Sequence, residues 1–151
     1  MRTLIKNATI AHCDRIEKNM DLYIKNGKLE AMGKNLQNEA DRVIDASGLY
    51  ALPGLVDAHC HLRDPGFEYK EDIASGTRSA ARGGFTSIAC MPNTNPVADN
   101  TTVVRYILDK AQREGVVNVY PIGAVTKGLE GRELSEMGSM KEAGIVAVSD
   151  D

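Results

Sequence analysis

Cysteine and unbalanced charge are both scarce in this chain, and each shortage removes a class of answer. Three cysteines, Cys13, Cys60 and Cys90, are an odd number without disulfide-like spacing, so no stapled extracellular scaffold is implied. Cys60 and Cys90 fall inside strand-like apolar runs, where a free thiol acts as a small buried hydrophobe. A reducing, cytoplasmic setting is therefore expected. A formal net charge of −3 over 151 residues gives no electrostatic case for nucleic acid or an anionic membrane surface. No apolar run reaches the length of a membrane span, and Met1-Arg2-Thr3-Leu4-Ile5-Lys6 holds no signal-peptide core. What remains, 42% hydrophobic and 26% charged, is the composition of one ordinary globular domain.

The first fifty residues carry β signals. Leu22-Tyr23-Ile24-Lys25 and Lys28-Leu29-Glu30-Ala31-Met32 flank Asn26-Gly27, the strongest short hairpin signal. Val43-Ile44-Asp45 and Leu49-Tyr50-Ala51-Leu52 add short strands around Ser47-Gly48. Residues 1–52 are accordingly expected to supply part of a β-sandwich that is too short to close by itself. From Pro53 the pattern becomes alternating strand and helix. Strands are expected over 55–61, 86–91, 117–125 and 145–149, and helices over 70–82, 100–114 and 132–142. Asp99 or Asn100 would cap the second helix and Gly115 stop it. Repeated strand–helix units imply a parallel sheet with right-handed crossovers. Residues 53–151 would then be the first four units of an α/β barrel. Four parallel strands are half of an eight-stranded barrel, so the chain is expected to be the N-terminal portion of a larger protein.

The most informative residues are His59 and His61, in Leu55-Val56-Asp57-Ala58-His59-Cys60-His61. Side chains at i and i+2 of a strand leave the same face, about 6–7 Å apart at Cα. That spacing suits two imidazoles converging on one metal ion. Leu62-Arg63-Asp64-Pro65-Gly66 follows; a cation stands beside the pair and a Pro-Gly turn ends the strand. Metal ligands and an anion-binding group would share one strand mouth, where barrel enzymes place their chemistry.

Period-two alternation can be carried to the other strands. If His59 and His61 point into a barrel, Asp57 should as well, with Val56, Ala58 and Cys60 toward the helices. On the last strand the same phase selects Asp151 rather than Asp150 as the inward carboxylate. Asn93 falls in phase with the inward set Ser87, Ala89 and Met91. Asp64 is expected to hydrogen-bond within its loop, and Glu71 and Asp72 to complement a helix N-terminus.

These motifs resemble the type I dihydroorotases of the amidohydrolase superfamily. The matching residues are Pro53 to Gly66, Glu71-Asp72, Ser75-Gly76, Ala80 to Thr86, Met91-Pro92-Asn93-Thr94-Asn95-Pro96 and Ser149-Asp150-Asp151. The resemblance implies a TIM-type (β/α)8 barrel with a small β-sandwich shared by the two ends of the chain. It implies reversible cyclisation of N-carbamoyl-L-aspartate to L-dihydroorotate with loss of water, in de novo pyrimidine synthesis. His59 and His61 match ligands of the first zinc. Asp151 matches the carboxylate that bridges two metals, a place held by a carboxylated lysine in other branches. Arg63 and Asn93 match the residues holding the substrate's carboxylate, with His61 and Leu62 lining the same site. The resemblance further implies one or two zinc ions, a homodimer, and aspartate transcarbamoylase as a candidate partner. The remaining histidines and the general acid/base Asp belong to later strands, so residues 1–151 alone are expected to be inactive. His12 matches no ligand.

Two rival readings stand beside this one. A hydantoinase- or allantoinase-like enzyme would share the barrel and the His pair but act on another ring; Arg63 and Met91-Pro92-Asn93-Thr94 argue against it. A dihydroorotase-like subunit without catalysis, serving as an assembly partner, is argued against by His59, His61, Arg63 and Asp151 together.

Overall fold

A computed structural model describes residues 1–151, which divide into two compact units, Met1–Pro53 and Gly54–Asp151. The first unit is a single five-stranded sheet. Its strands are β1 (Arg2–Ala11), β2 (Ile16–Lys25), β3 (Lys28–Gly33), β4 (Arg42–Asp45) and β5 (Tyr50–Ala51). The order is β3-β2-β1-β4, with β5 pairing β1 beyond the end of β4. The β2–β3 hairpin turns at Asn26 (φ 51°) and Gly27 (φ 77°), two consecutive left-handed residues that match the right-handed twist of the strands. Strand β1 and the first half of β2 lie outside the strands expected from sequence. Their apolar alternation is interrupted at Asn7 and Asn19, both left-handed (φ 63° and 56°), where the β1–β2 register shifts. Buried Asp21 secures the first interruption, accepting from the Asn7 N–H at 2.9 Å and the Leu36 N–H at 3.0 Å.

The second unit is a parallel sheet in the order β6-β7-β8-β9, the first half of a barrel. Its elements are β6 (Leu55–Cys60), α1 (Ile73–Arg82), β7 (Phe85–Cys90), α2 (Thr101–Glu114), β8 (Asn118–Gly123), α3 (Met137–Ala143) and β9 (Ala147–Val148). Helix α1 starts where Asp72 accepts from the Ser75 N–H and the Ser75 hydroxyl reaches back to the Asp72 N–H, a reciprocal capping box. Asn100 caps α2 by accepting from the N–H groups of Thr102 and Val103. Leu62, Ile73, Ile88, Cys90, Val103, Ile107 and Val119 form the core between the sheet and helices α1 and α2. Val104, Met140 and Ile145 form a second cluster that holds α3 to α2. No helix is long and apolar enough to cross a membrane.

Helix α3 begins at Met137, five residues later than position 132 where the periodicity starts it. The intervening chain spends its backbone groups elsewhere. Glu133 O accepts from the Lys127 N–H, the Ser135 N–H donates to Val125 O, and Thr126 bridges Leu134. Strand β9 is short, yet the ladder runs past it: the Val146 N–H donates to Pro121 O and the Ser149 N–H to Gly123 O.

Candidate active site

Strand β6 does not alternate simply. Asp57 pairs with Ile88 and Cys60 with Cys90, so three steps on β6 oppose two on β7, a bulge. Its local cause is the Asp57 carboxylate, which accepts from the His59 N–H at 3.0 Å, an Asx-type turn inside the strand. The extra residue reverses the phase. Asp57 therefore registers with core-facing Ile88 and Cys60, and not on the His59 face as strict alternation requires. Cys60 faces the core as expected: its thiol lies 3.4 Å from Ala89 O, and burial pushes its pKa up to about 11.

Past the bulge, the strand ends converge. His59 Nε2 lies 3.6 Å from one Asp151 oxygen and His61 Nδ1 3.8 Å from the other. The two imidazoles meet edge to face with centroids 5.3 Å apart. One potential ligand atom from each of His59, His61 and Asp151 lies within 4.8 Å of the others. Two bonds of about 2.1 Å to a shared cation separate their ligand atoms by roughly 3.3 Å in a tetrahedron and 4.2 Å in line. The 3.6 Å between His59 Nε2 and the Asp151 oxygen falls inside that span. Two imidazoles and a carboxylate are a donor set suited to zinc and its neighbours, and the residues fit a divalent cation.

Asn93 stitches the group together. Its Oδ1 faces His61 Nδ1 at 2.9 Å, and its Nδ2 donates to Asp151 Oδ2 at 2.5 Å. With Asn93 Oδ1 as acceptor, the His61 proton sits on Nδ1 and the lone pair on Nε2 is left for a metal. One hydrogen of the Asn93 amide remains available to a ligand. Asp150 turns the other way. Its carboxylate accepts from the Val125 and Thr126 N–H groups, each at 2.9 Å, and from the Thr126 hydroxyl at 2.6 Å. Those bonds hold its pKa below the ordinary carboxylate value and fix the backbone from which Asp151 projects.

Arg63 lies in the loop after β6, half-buried, at φ 60°. Its guanidinium makes no ion pair or hydrogen bond within the chain. Leu62 is only 4% exposed and its side chain belongs to the core. Asp64 is not near the histidines; it is buried against α2, where Lys110 and Tyr106 meet it. Glu71 accepts from the Ser75 hydroxyl. His12 lies in the first unit, 3.1 Å from Glu17. Sequence reasoning missed the His61–Asn93–Asp151 chain of hydrogen bonds, although the in-phase position of Asn93 pointed toward it.

The family model described as dihydro-orotase-like matches residues 48–151. The chain belongs to that family. A protein named dihydroorotase from Ruminiclostridium cellulolyticum is 57% identical over 152 residues, covering all of this chain and 36% of the relative. One from Acetivibrio thermocellus is 62% identical over 132 residues, covering 87% of this chain and 31% of the relative. The chain thus spans about a third of the length of the curated relatives it matches. Among solved structures, an L-hydantoinase (dihydropyrimidinase) from Arthrobacter aurescens superposes with a TM-score of 0.85 at 29% identity, covering 97% of this chain and 32% of that one. A D-hydantoinase gives 0.74 at 27% identity, covering 98% of this chain and 40% of that one.

Proposed function

We propose that residues 1–151 are the N-terminal portion of a zinc-dependent dihydroorotase, which interconverts N-carbamoyl-L-aspartate and L-dihydroorotate plus water in pyrimidine synthesis. The observation that carries this reading is the convergence of His59, His61 and Asp151 in a chain of the dihydroorotase-like family. His59, His61 and Asp151 would hold one zinc, and Asp151 has two oxygens with which to bridge a second. Such a cation supplies water acidified to a pKa of about 7 and polarises a carbonyl, as an unactivated cyclic amide requires.

The chain's other residues orient the substrate. Arg63, a cation without an internal partner, can bind a carboxylate through two parallel hydrogen bonds, fixing direction as well as position. Asn93 offers its free amide hydrogen to the same carboxylate while holding His61 and Asp151 in place. The general acid/base Asp and the remaining histidines would come from the segment that matches the other two-thirds of the relatives. A cytoplasmic homodimer, with aspartate transcarbamoylase as a partner, completes the proposal; three unpaired thiols agree with a reducing compartment.

The likeness to hydantoinases favours a second reading, a cyclic amidase acting on another ring. Arg63 separates the two. In the full-length protein, Arg63→Lys should keep the wild-type zinc content while losing much of its affinity for dihydroorotate. Wild-type kinetics in that variant would remove Arg63 from the carboxylate site, and turnover of hydantoins in preference to dihydroorotate would favour the second reading.

A further inference from the structure

We infer that Asp64 and Lys110 form a positioning pair that sets the orientation of Arg63, and with it the site's affinity for a substrate carboxylate. The inference rests on the assignment of Arg63 made above. Arg63 adopts a left-handed backbone (φ 60°), a conformation that costs a non-glycine residue energy and persists only where its surroundings hold it. The next residue supplies that hold.

Asp64 is 1% exposed, and its carboxylate is fully engaged. Lys110 Nζ of α2 lies 2.7 Å from Oδ2, the Ile73 N–H at the start of α1 donates to Oδ2 at 3.3 Å, and the Tyr106 hydroxyl donates to Oδ1 at 3.2 Å. The Lys110 ammonium also donates to the Tyr106 hydroxyl at 3.5 Å. Two helices thus grip one side chain.

The loop beyond is closed by the Phe67 N–H donating to Arg63 O at 2.9 Å. It is tied to the Asn93 loop by the Asn95 N–H donating to Pro65 O, also at 2.9 Å. Turning Arg63 into an ordinary backbone region would swing the Asp64 carboxylate off α2 and strand a buried charge, which is strongly unfavourable. Lys110 and Tyr106 therefore act on the ligand site through the backbone of Arg63.

The test is Lys110→Met in the zinc-loaded full-length enzyme. KM for dihydroorotate should rise roughly tenfold, with kcat within about twofold and zinc content unchanged. Lys110→Arg should restore most of the loss. Val104→Ala, on the same helix but facing Met140 and Ile145, should lower Tm while leaving KM alone. A KM within twofold of wild type in Lys110→Met, or an equal rise in Val104→Ala, would overturn the inference. If Lys110→Met does not fold, Tyr106→Phe removes a single bond to Asp64 and should raise KM about threefold; an unchanged KM there overturns it equally. An inactive wild-type enzyme would instead sink the functional assignment. A crystal structure of the variant then decides the pair: Arg63 should leave the left-handed region, and an unmoved Arg63 backbone would refute the coupling.

Discussion

Gly66→Ala is the substitution whose consequence the structure sets most sharply. Gly66 sits at φ 94°, and a Cβ there would lie 2.0 Å from Asn95 O and 2.8 Å from Asn95 C. Ordinary contacts of this kind begin above 3 Å, so the Asn95 carbonyl must retreat by about an ångström, and it is backbone. The left-handed conformation alone costs alanine about 1–2 kcal/mol. Moving Asn95 breaks its N–H bond to Pro65 O, about 1 kcal/mol more, and residual overlap adds a similar amount. The total is about 3–4 kcal/mol, and in a full-length protein about three times as long as this chain that is a fall in Tm of roughly 3–5 °C, at about 1 °C per kcal/mol. The same displacement moves Asn93, two residues upstream, and an ångström of misplacement costs up to about a hundredfold in rate. Differential scanning calorimetry and steady-state kinetics on the full-length enzyme measure both. A Tm within 2 °C of wild type, with unchanged kcat/KM, would refute the close approach of the two loops.

Two further outcomes follow from the chain's titratable groups. The pKa of Asp72 is lowered chiefly by the Ser75 backbone and hydroxyl. A carboxylate depressed in the folded state contributes stability that is present above its unfolded value and lost as pH falls through the folded one. Tm should therefore fall as pH drops below the ordinary carboxylate value of 3.8, and Asp72→Asn, which keeps a cap but cannot titrate, should show a shallower fall; an identical acid limb would contradict this. Burial pushes the Cys60 and Cys90 thiols up to about 11 and about 12, while Cys13 is exposed. Iodoacetamide at pH 7.5 should label Cys13 well before either of the others in the native protein, read by peptide mass, because the thiolate is the nucleophile. Equal labelling of Cys90 would mean that the β7 core is open.

Local chemistry was legible in the sequence wherever a residue type forces a backbone shape. Asn26-Gly27 takes two left-handed residues and so announces its hairpin. Asn100 and Gly115 bracket α2 because one accepts orphan N–H groups and the other ends the helix. The phase argument selected Asp151, whose oxygens lie 3.6 Å from His59 and 3.8 Å from His61, although the ladder beside β9 is uneven, with the Val146 and Ser149 N–H groups donating to Pro121 O and Gly123 O. It failed at Asp57, where a side-chain bond to the His59 N–H inserts a bulge that period two does not foresee. It also missed β1, whose alternation breaks at Asn7, and it overran α3, whose first expected turn is held extended by Thr126 and Ser135. The Asp64–Lys110 pair joins residues 46 positions apart, and no local pattern encodes a contact of that kind.

The central claim is a metal-dependent cyclic amidase built around His59, His61 and Asp151. Its most direct test is interconversion of N-carbamoyl-L-aspartate and L-dihydroorotate by the full-length protein before chelation, after it, and after zinc is restored. The account predicts activity that disappears with the metal and returns with zinc, and that does not return in His61→Ala or Asp151→Ala. A folded, zinc-loaded protein that leaves both compounds untouched would contradict it.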